Sequence, residues 1–197
     1  MQEVFSDSFV LNQNERYKNA ENPLLELVKR EMEEDFLILE ATTGKVPTKL
    51  SLLELHKTNN VKTHILNIKS QLKVGELFYG TFFGSENLYD LQNLFVEAEL
   101  RVYGGFSPRF LPTIEIKTAG MLLQNCGFSG IVVDSRKFKI TFQNIKECLN
   151  FIRKSREANC LLSRDTRIRR KLFSDILDKY NGEFTCTFDI LFFWCFA

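Results

Sequence analysis

The sequence has little of what most metal and disulfide chemistry requires. It carries two histidines in 197 residues, His56 and His64, and five cysteines at 126, 148, 160, 186 and 195 with no C-x-x-C pair. The histidines lie far from the thiols in sequence, so no zinc-ligand spacing is present and no metal is expected. An odd set of thiols with no signal peptide before it reads as reduced cysteines, most of them small core residues, in a cytoplasmic protein. Excess charge of one sign is also missing. Lys and Arg number 26 against 25 Asp and Glu, a net charge of +1, which supplies no long-range field to gather nucleic acid or an anionic membrane. No apolar run reaches the ~18 residues of a membrane span. The nearest, Ile190 to Phe196, has strand length and is rich in aromatics. Repeats and low-complexity linkers are absent, so the expectation is a single domain over residues 1–197.

Glycine is scarce where it would matter most. Leu37-Ile38-Leu39-Glu40-Ala41-Thr42-Thr43-Gly44-Lys45 reads as a short strand, Phe36 to Glu40, running into a loop with one glycine. Cofactor loops need several, because only residues without a side chain let the backbone approach a ligand closely.

The remaining pattern alternates helices and strands. Asn22-Pro23 caps a helix that carries Leu24, Leu25, Val28 and Met32 through Glu34. Residues 49 to 60 are ambiguous. Val61, Ile65, Ile68 and Leu72 make a helix face closed by Gly75, and Leu77 to Phe83 is a strand. Leu88, Leu91, Phe95, Ala98 and Val102 mark a helix over 86 to 102, and a third helix spans Thr113 to Gln124. Ile131 to Asp134 and Phe138 to Phe142 form either a hairpin or one bent strand. Asn144 with Glu147 is a capping pattern for the next helix. A further helix runs from about Ser163 to Tyr180, and Phe184 to Phe196 is an interior strand expected to run antiparallel to a partner within residues 130 to 142. Residues 1 to 21 read as a polar arm.

Ordered motifs then narrow the class. Leu72-Lys73-Val74-Gly75-Glu76-Leu77-Phe78, Ser85-Glu86-Asn87-Leu88-Tyr89-Asp90-Leu91 and Gly104-Gly105-Phe106-Ser107-Pro108-Arg109 resemble one branch of the S-adenosylmethionine-dependent methyltransferases. That branch holds the malonyl-acyl-carrier-protein O-methyltransferase of biotin synthesis and a methyltransferase-like mitochondrial complex I assembly factor described as a protein arginine hydroxylase. The likeness extends through Leu122 to Phe128, Glu157 to Cys160 and Thr187 to Ile190. It also touches Val4-Phe5 and Arg16 to Ala20, which look like the family's opening helix.

The resemblance implies an α/β, Rossmann-like methyltransferase sheet with an antiparallel C-terminal strand. It also implies an internal loss. Residues 1–48 match an N-terminal helix with the remnant of a first strand and loop, and residues 49–197 match the C-terminal half of the fold. Strands two and three are missing, on the order of 60 to 90 residues at roughly 30 per strand-helix-strand unit.

The cofactor implied is S-adenosyl-L-methionine, with binding impaired or lost. The residues implied to face it are Glu40, Gly44, His56 and Asn59, the last two in a segment similar to the family's "His-x-x-Asn-Asp" exit. For substrate they are Tyr89, Tyr103, Gly104, Gly105, Ser107 and Arg109, whose guanidinium suits a carboxylate or phosphate. The substrate would be an acyl-carrier or respiratory-complex protein. A methyltransferase, a non-catalytic assembly or binding protein and an arginine hydroxylase all remain open. So does a purely structural role for the Gly104-Gly105 turn, and for the basic run Arg164, Arg167, Arg169, Arg170 and Lys171 as a solvated face. Loss of two strands would leave an exposed sheet edge, with Leu50, Leu52, Leu53 and Leu55 open to self-association.

Overall fold

The structure, a computed structural model, describes residues 9–12, 22–157 and 168–197. In chain order the elements are β1 (Phe9–Asn12), α1 (Pro23–Thr43), β2 (Lys49–Ser51), a 3-10 turn (Leu55–Lys57), α2 (Val61–Ser70), β3 (Leu77–Phe83), α3 (Tyr89–Tyr103), α4 (Ile116–Asn125), β4 (Ser129–Phe142), α5 (Ile145–Lys154), α6 (Arg170–Lys179) and β5 (Phe184–Phe196). The strands are hydrogen-bonded in the order β1-β4-β5-β3-β2. β1 runs parallel to β4, β2 parallel to β3, and β3 antiparallel to β5. This is the α/β class expected, with its antiparallel last strand.

β4 is one continuous strand rather than a hairpin, and two contacts fix its direction against β5. Near its start, a Cβ on Gly130 would lie 2.7 Å from the Phe196 ring. Near its end, the Thr141 and Thr185 hydroxyls are 2.8 Å apart. The start of β4 therefore lies beside the end of β5, which is an antiparallel pairing.

Contacts along the chain divide it into two compact units, residues 24–85, 112–136 and 190–197 in one, and residues 1–23, 86–111 and 137–189 in the other. In the first, every residue of β3 is buried. Its side chains alternate between two faces, as strand geometry requires. Phe78 and Phe82 meet Ile65 and Ile68 of α2, Ala119 and Leu123 of α4, and Phe193. A Cβ on Gly80 would lie 2.5 Å from the Phe193 ring, so glycine there makes room for the aromatic. On the other face, Tyr79 receives the edge of Phe36 from α1 at 5.3 Å.

Two expectations change in this unit. Residues 36 to 43 are not a strand and loop but the last two turns of a 21-residue helix. After Pro23 its buried residues are Leu24, Leu27, Val28, Asp35 and Leu39, a helical spacing carried through Asp35, whose polarity hides it in the sequence. Thr42 and Thr43 hydroxyls donate to the carbonyls of Ile38 and Leu39, each at 2.7 Å, and Gly44, with φ of +65°, ends the helix. The leucine run also divides. Leu50 is exposed and Leu52 half-buried, whereas Leu53 and Leu55 belong to the core. Leu53 turns inward through a left-handed φ of +54°.

In the second unit, Phe142, Phe151 and Phe188 form a chain of edge contacts at 5.4 Å each, holding α5 on the strands. Asn144 caps α5 by accepting from Glu147 N–H at 3.1 Å. α3 and α6 are bridged by Arg101 and Asp175 at 2.8 Å. Residues 9–12 are a strand and not part of a polar arm. Val4-Phe5, Arg16 to Ala20, Ala158 to Cys160, and Arg164 and Arg167 lie outside the described residues. Cys126, Cys148, Cys186 and Cys195 are free and buried. Burial pushes the Cys195 thiol up to about 12, and contact with Cys148 followed by burial raises Cys186, so Cys186 and Cys195 stay protonated and inert.

Candidate functional site

In open α/β sheets, ligands gather beyond the carboxyl ends of the parallel strands, which here means the ends of β2 and β3. The chain leaving β2 folds back over this end, because Leu53 N–H donates to Thr81 Oγ1 at 2.8 Å. The 3-10 turn then lays the buried imidazole of His56 flat on Phe83, with ring centroids 3.9 Å apart and 24° between planes. Asn59 follows in an exposed position, next to Asn60, which caps α2 by accepting from Thr63 N–H at 3.1 Å. On the other side of the strand end, Ile114 N–H donates to the Phe83 carbonyl at 3.0 Å. The result is a stacked aromatic floor with one exposed amide beside it.

Glu40 and Gly44 lie elsewhere. Gly44 N–H donates to the Glu40 carbonyl at 2.9 Å as a helix cap, and the adjacent Lys45 Nζ donates to the Gly75 carbonyl at 2.8 Å. Gly75 precedes β3, whereas His56 rests on its final residue. A seven-residue strand at about 3.3 Å per residue puts roughly 20 Å between the two pairs. The four residues do not converge on one small ligand.

The second set of expected residues surrounds α3. Tyr89 and Tyr103 are exposed at its opposite ends, roughly 20 Å apart at about 1.5 Å per residue, so they do not share a cavity wall. Tyr103 carries the Arg169 guanidinium 5.8 Å above its ring. Gly104 adopts a φ of +72°, and its N–H donates to the Leu100 carbonyl at 3.0 Å. Gly105 follows, exposed. The loop then turns back onto the helix that it left. Ser107 N–H donates to Glu99 Oε2 at 2.8 Å, and Arg109 Nε donates to Glu99 Oε1 at 2.6 Å. The Arg109 guanidinium thus neutralises a carboxylate of its own chain that is only 2% exposed.

Glu99 went unnoticed in the sequence. Its signal was an acid adjoining the apolar stripe of α3, four residues from both Phe95 and Tyr103, where burial demands a charged partner. A second group is of the same kind. Asp35 of α1 accepts from the Tyr79 phenol and from Arg136. Arg136 also reaches Asp134 at 3.2 Å and lies 4.8 Å above the Phe192 ring. Burial first, and Asp35 second, push the Tyr79 phenol well above its usual range. For Arg136 burial opposes the charge, and the contact with Asp35 outweighs it. This cluster fastens α1 to the strands.

An open groove of about 600 Å³ lies between α4 and the start of β4, lined by residues such as Met121, Phe128 and Ile131. None of the expected site residues lines it. Among the described residues no group of three His, Cys, Asp or Glu could hold a metal ion, and no helix is long and apolar enough to cross a membrane.

Comparison with known proteins adds three kinds of finding. No family model matches the chain. The mouse protein named arginine-hydroxylase NDUFAF5, mitochondrial, is 28% identical over 165 residues, covering 80% of this chain and 48% of the relative. Its human counterpart is 27% identical over 182 residues, covering 89% and 52%. "Putative methyltransferase RP459" of Rickettsia prowazekii is 32% identical over 133 residues, covering 67% and 58%. The chain thus spans about half the length of the curated relatives that it matches. Among solved structures, a methyltransferase candidate from Bacillus halodurans is similar at 15% identity and a TM-score of 0.41, covering 75% of this chain and 63% of that one.

Proposed function

We propose, for a chain that belongs to the S-adenosylmethionine-dependent methyltransferase family on the side of NDUFAF5 and RP459, that it serves in binding or assembly, with cofactor binding impaired or lost. The observation that carries this is the placement of the expected cofactor residues. Glu40 and Gly44 cap a helix at the amino end of β3, and His56 and Asn59 sit at its carboxyl end. S-adenosylmethionine needs a glycine turn, an acidic ribose partner and a base-stacking wall within one ligand length. The residues do not fit that requirement, so no methyl-transfer step is derived through the cofactor.

The protein contacted would be a respiratory-complex subunit or an acyl carrier. The mitochondrial location in the names of the mammalian relatives suits the first. The same names favour a second reading, a protein arginine hydroxylase, and add a mitochondrial compartment to the cytoplasmic one expected from the thiols. Cell fractionation separates those locations.

Calorimetric titration of the chain with S-adenosylmethionine tests the main reading. Dissociation weaker than ~1 mM, only about 4 kcal/mol of binding free energy, is expected. A micromolar constant would overturn it.

A further inference from the structure

β4 is an edge strand over most of its length. β1 covers its outer side only from Phe138 to Thr141, so residues 129 to 137 have no strand partner on that side among the described residues. The groove of about 600 Å³ runs beside this stretch, lined by α4, by β4 and by Phe128 between them. Positions 116, 120 and 124 of α4 line it, displaced around the helix from the buried Ala119 and Leu123. The groove therefore follows the flank of α4 and opens at the unpaired edge. Strand alternation separates the two faces of β4. Ile131 and Val133 point to the α4 side, where they pack on the core that holds Ala119 and Leu123. Asp134 and Arg136 point to the other side, where Arg136 reaches Asp35 of α1. Over residues 131 to 135 the groove side thus carries no charge that would oppose a new strand. On the helix rim Met121 is 52% exposed, and a Cβ on Gly120 would meet nothing within 4 Å, which leaves room for a chain to approach.

We infer that this edge and groove take an extended segment of a partner protein, added as a further strand beside residues 131 to 135. Every second side chain of that segment is apolar and lodges between β4 and α4, and an acidic residue meets Lys117. Such pairing draws affinity from main-chain hydrogen bonds and selectivity from pockets for alternate side chains. Three features select this occupant. The same edge already takes a strand at residues 138 to 141, so its backbone row is competent for pairing. The lining is apolar where alternate side chains of an added strand would point. Lys117 is the single charged residue of the lining and makes no ion pair among the described residues, so a complementary segment supplies an acid. A second copy of this chain would bring the same lysine to the groove, and no acidic residue lines it in return. This surface would serve the binding role proposed above and rests on that reading. The two fail separately, since S-adenosylmethionine titration decides the reading and peptide binding decides the surface.

Panning a displayed library of random short peptides against the whole chain tests the surface, followed by fluorescence polarisation of the enriched peptides. Expected are peptides that alternate apolar residues and carry an acid, and that bind Met121→Lys and Lys117→Glu about tenfold or more weakly. Leu37→Lys, at a residue 71% exposed on α1, should leave binding unchanged. Circular dichroism melts identify variants that remain folded. Bound peptide should protect amides 131 to 135 from hydrogen exchange, a readout that needs no substitution. A proline placed inside the enriched segment should abolish binding, because it removes a ladder donor that a groove ligand of any other shape would not need. No enriched peptide, binding that resists both variants, tolerance of the proline, or sedimentation equilibrium showing a second copy of the chain on this edge would overturn the inference.

Discussion

Segments 36–47 and 103–110 each place a glycine after an apolar stretch, and each was expected to meet a ligand. In the structure both glycines do the same local job. Gly44 and Gly104 sit in the left-handed region at +65° and +72°, and each N–H closes the preceding helix on the carbonyl four residues back, at 2.9 and 3.0 Å. The chain beyond them differs. After Gly104 it is drawn back onto its own helix by a buried carboxylate. After Gly44 it travels on to an edge strand, tied by Lys45 and by Thr48 N–H to the Leu77 carbonyl at 2.9 Å. A glycine after an apolar run marks a helix stop. Whether a site follows depends on which charged groups the fold brings to the loop.

The sharpest way to break this comparison is to remove the carboxylate. Glu99→Ala leaves the Arg109 guanidinium half-buried beside a void, and loss of one partner of a buried pair costs about 3–5 kcal/mol. Chemical denaturation should show that loss, and the double variant Glu99→Ala with Arg109→Ala should lose less than the sum of the two single changes. An effect below about 1 kcal/mol would mean that the loop is not anchored there.

A smaller effect sharpens the other side, where α1 is fastened through Asp35 and Tyr79. The folded-state pKa of Tyr79 is raised, so its contribution to stability is complete below the unfolded value of about 10 and is lost as pH rises through and beyond it. Between pH 10 and 11 about 1 kcal/mol should disappear. Tyr79→Phe should flatten that part of the pH profile. An unchanged slope would assign it to other groups, such as Cys195.

The smallest effect separates helix from loop at residues 36 to 43. Ala41 is exposed in the last turns of α1. Ala41→Gly should therefore cost roughly 0.5–1 kcal/mol, the usual helix penalty. A loop would tolerate the change at no cost, and melting curves resolve the two cases.

Much of the fold was legible in the sequence because long elements announce themselves by period. β3 and β5 begin and end at the residues expected. The stripe of α3 and the Asn144 cap of α5 were equally plain, since each depends on neighbours three or four residues apart. The last turns of α1 were not legible. Phe36 to Leu39 is a four-residue apolar run, and its helical continuation passes through Asp35, a residue that looks exposed until Tyr79 and Arg136 arrive from 44 and 101 residues away.

The candidate site divides in the same way. The sequence by itself determined that Gly104 stops a helix and that too few glycines surround residue 44 for close approach of a backbone to a ligand, whereas a strand before His56 and Asn59 was implied only by the resemblance. Only the tertiary structure decided that Gly44 and His56 lie at opposite ends of β3, that Arg109 is occupied by Glu99, and that Leu53 is buried while Leu50 is not. The reason is physical. Caps and stripes arise from contacts within one turn, whereas the partner of a buried charge and the exposure of an edge are set by which distant segments the fold packs against them.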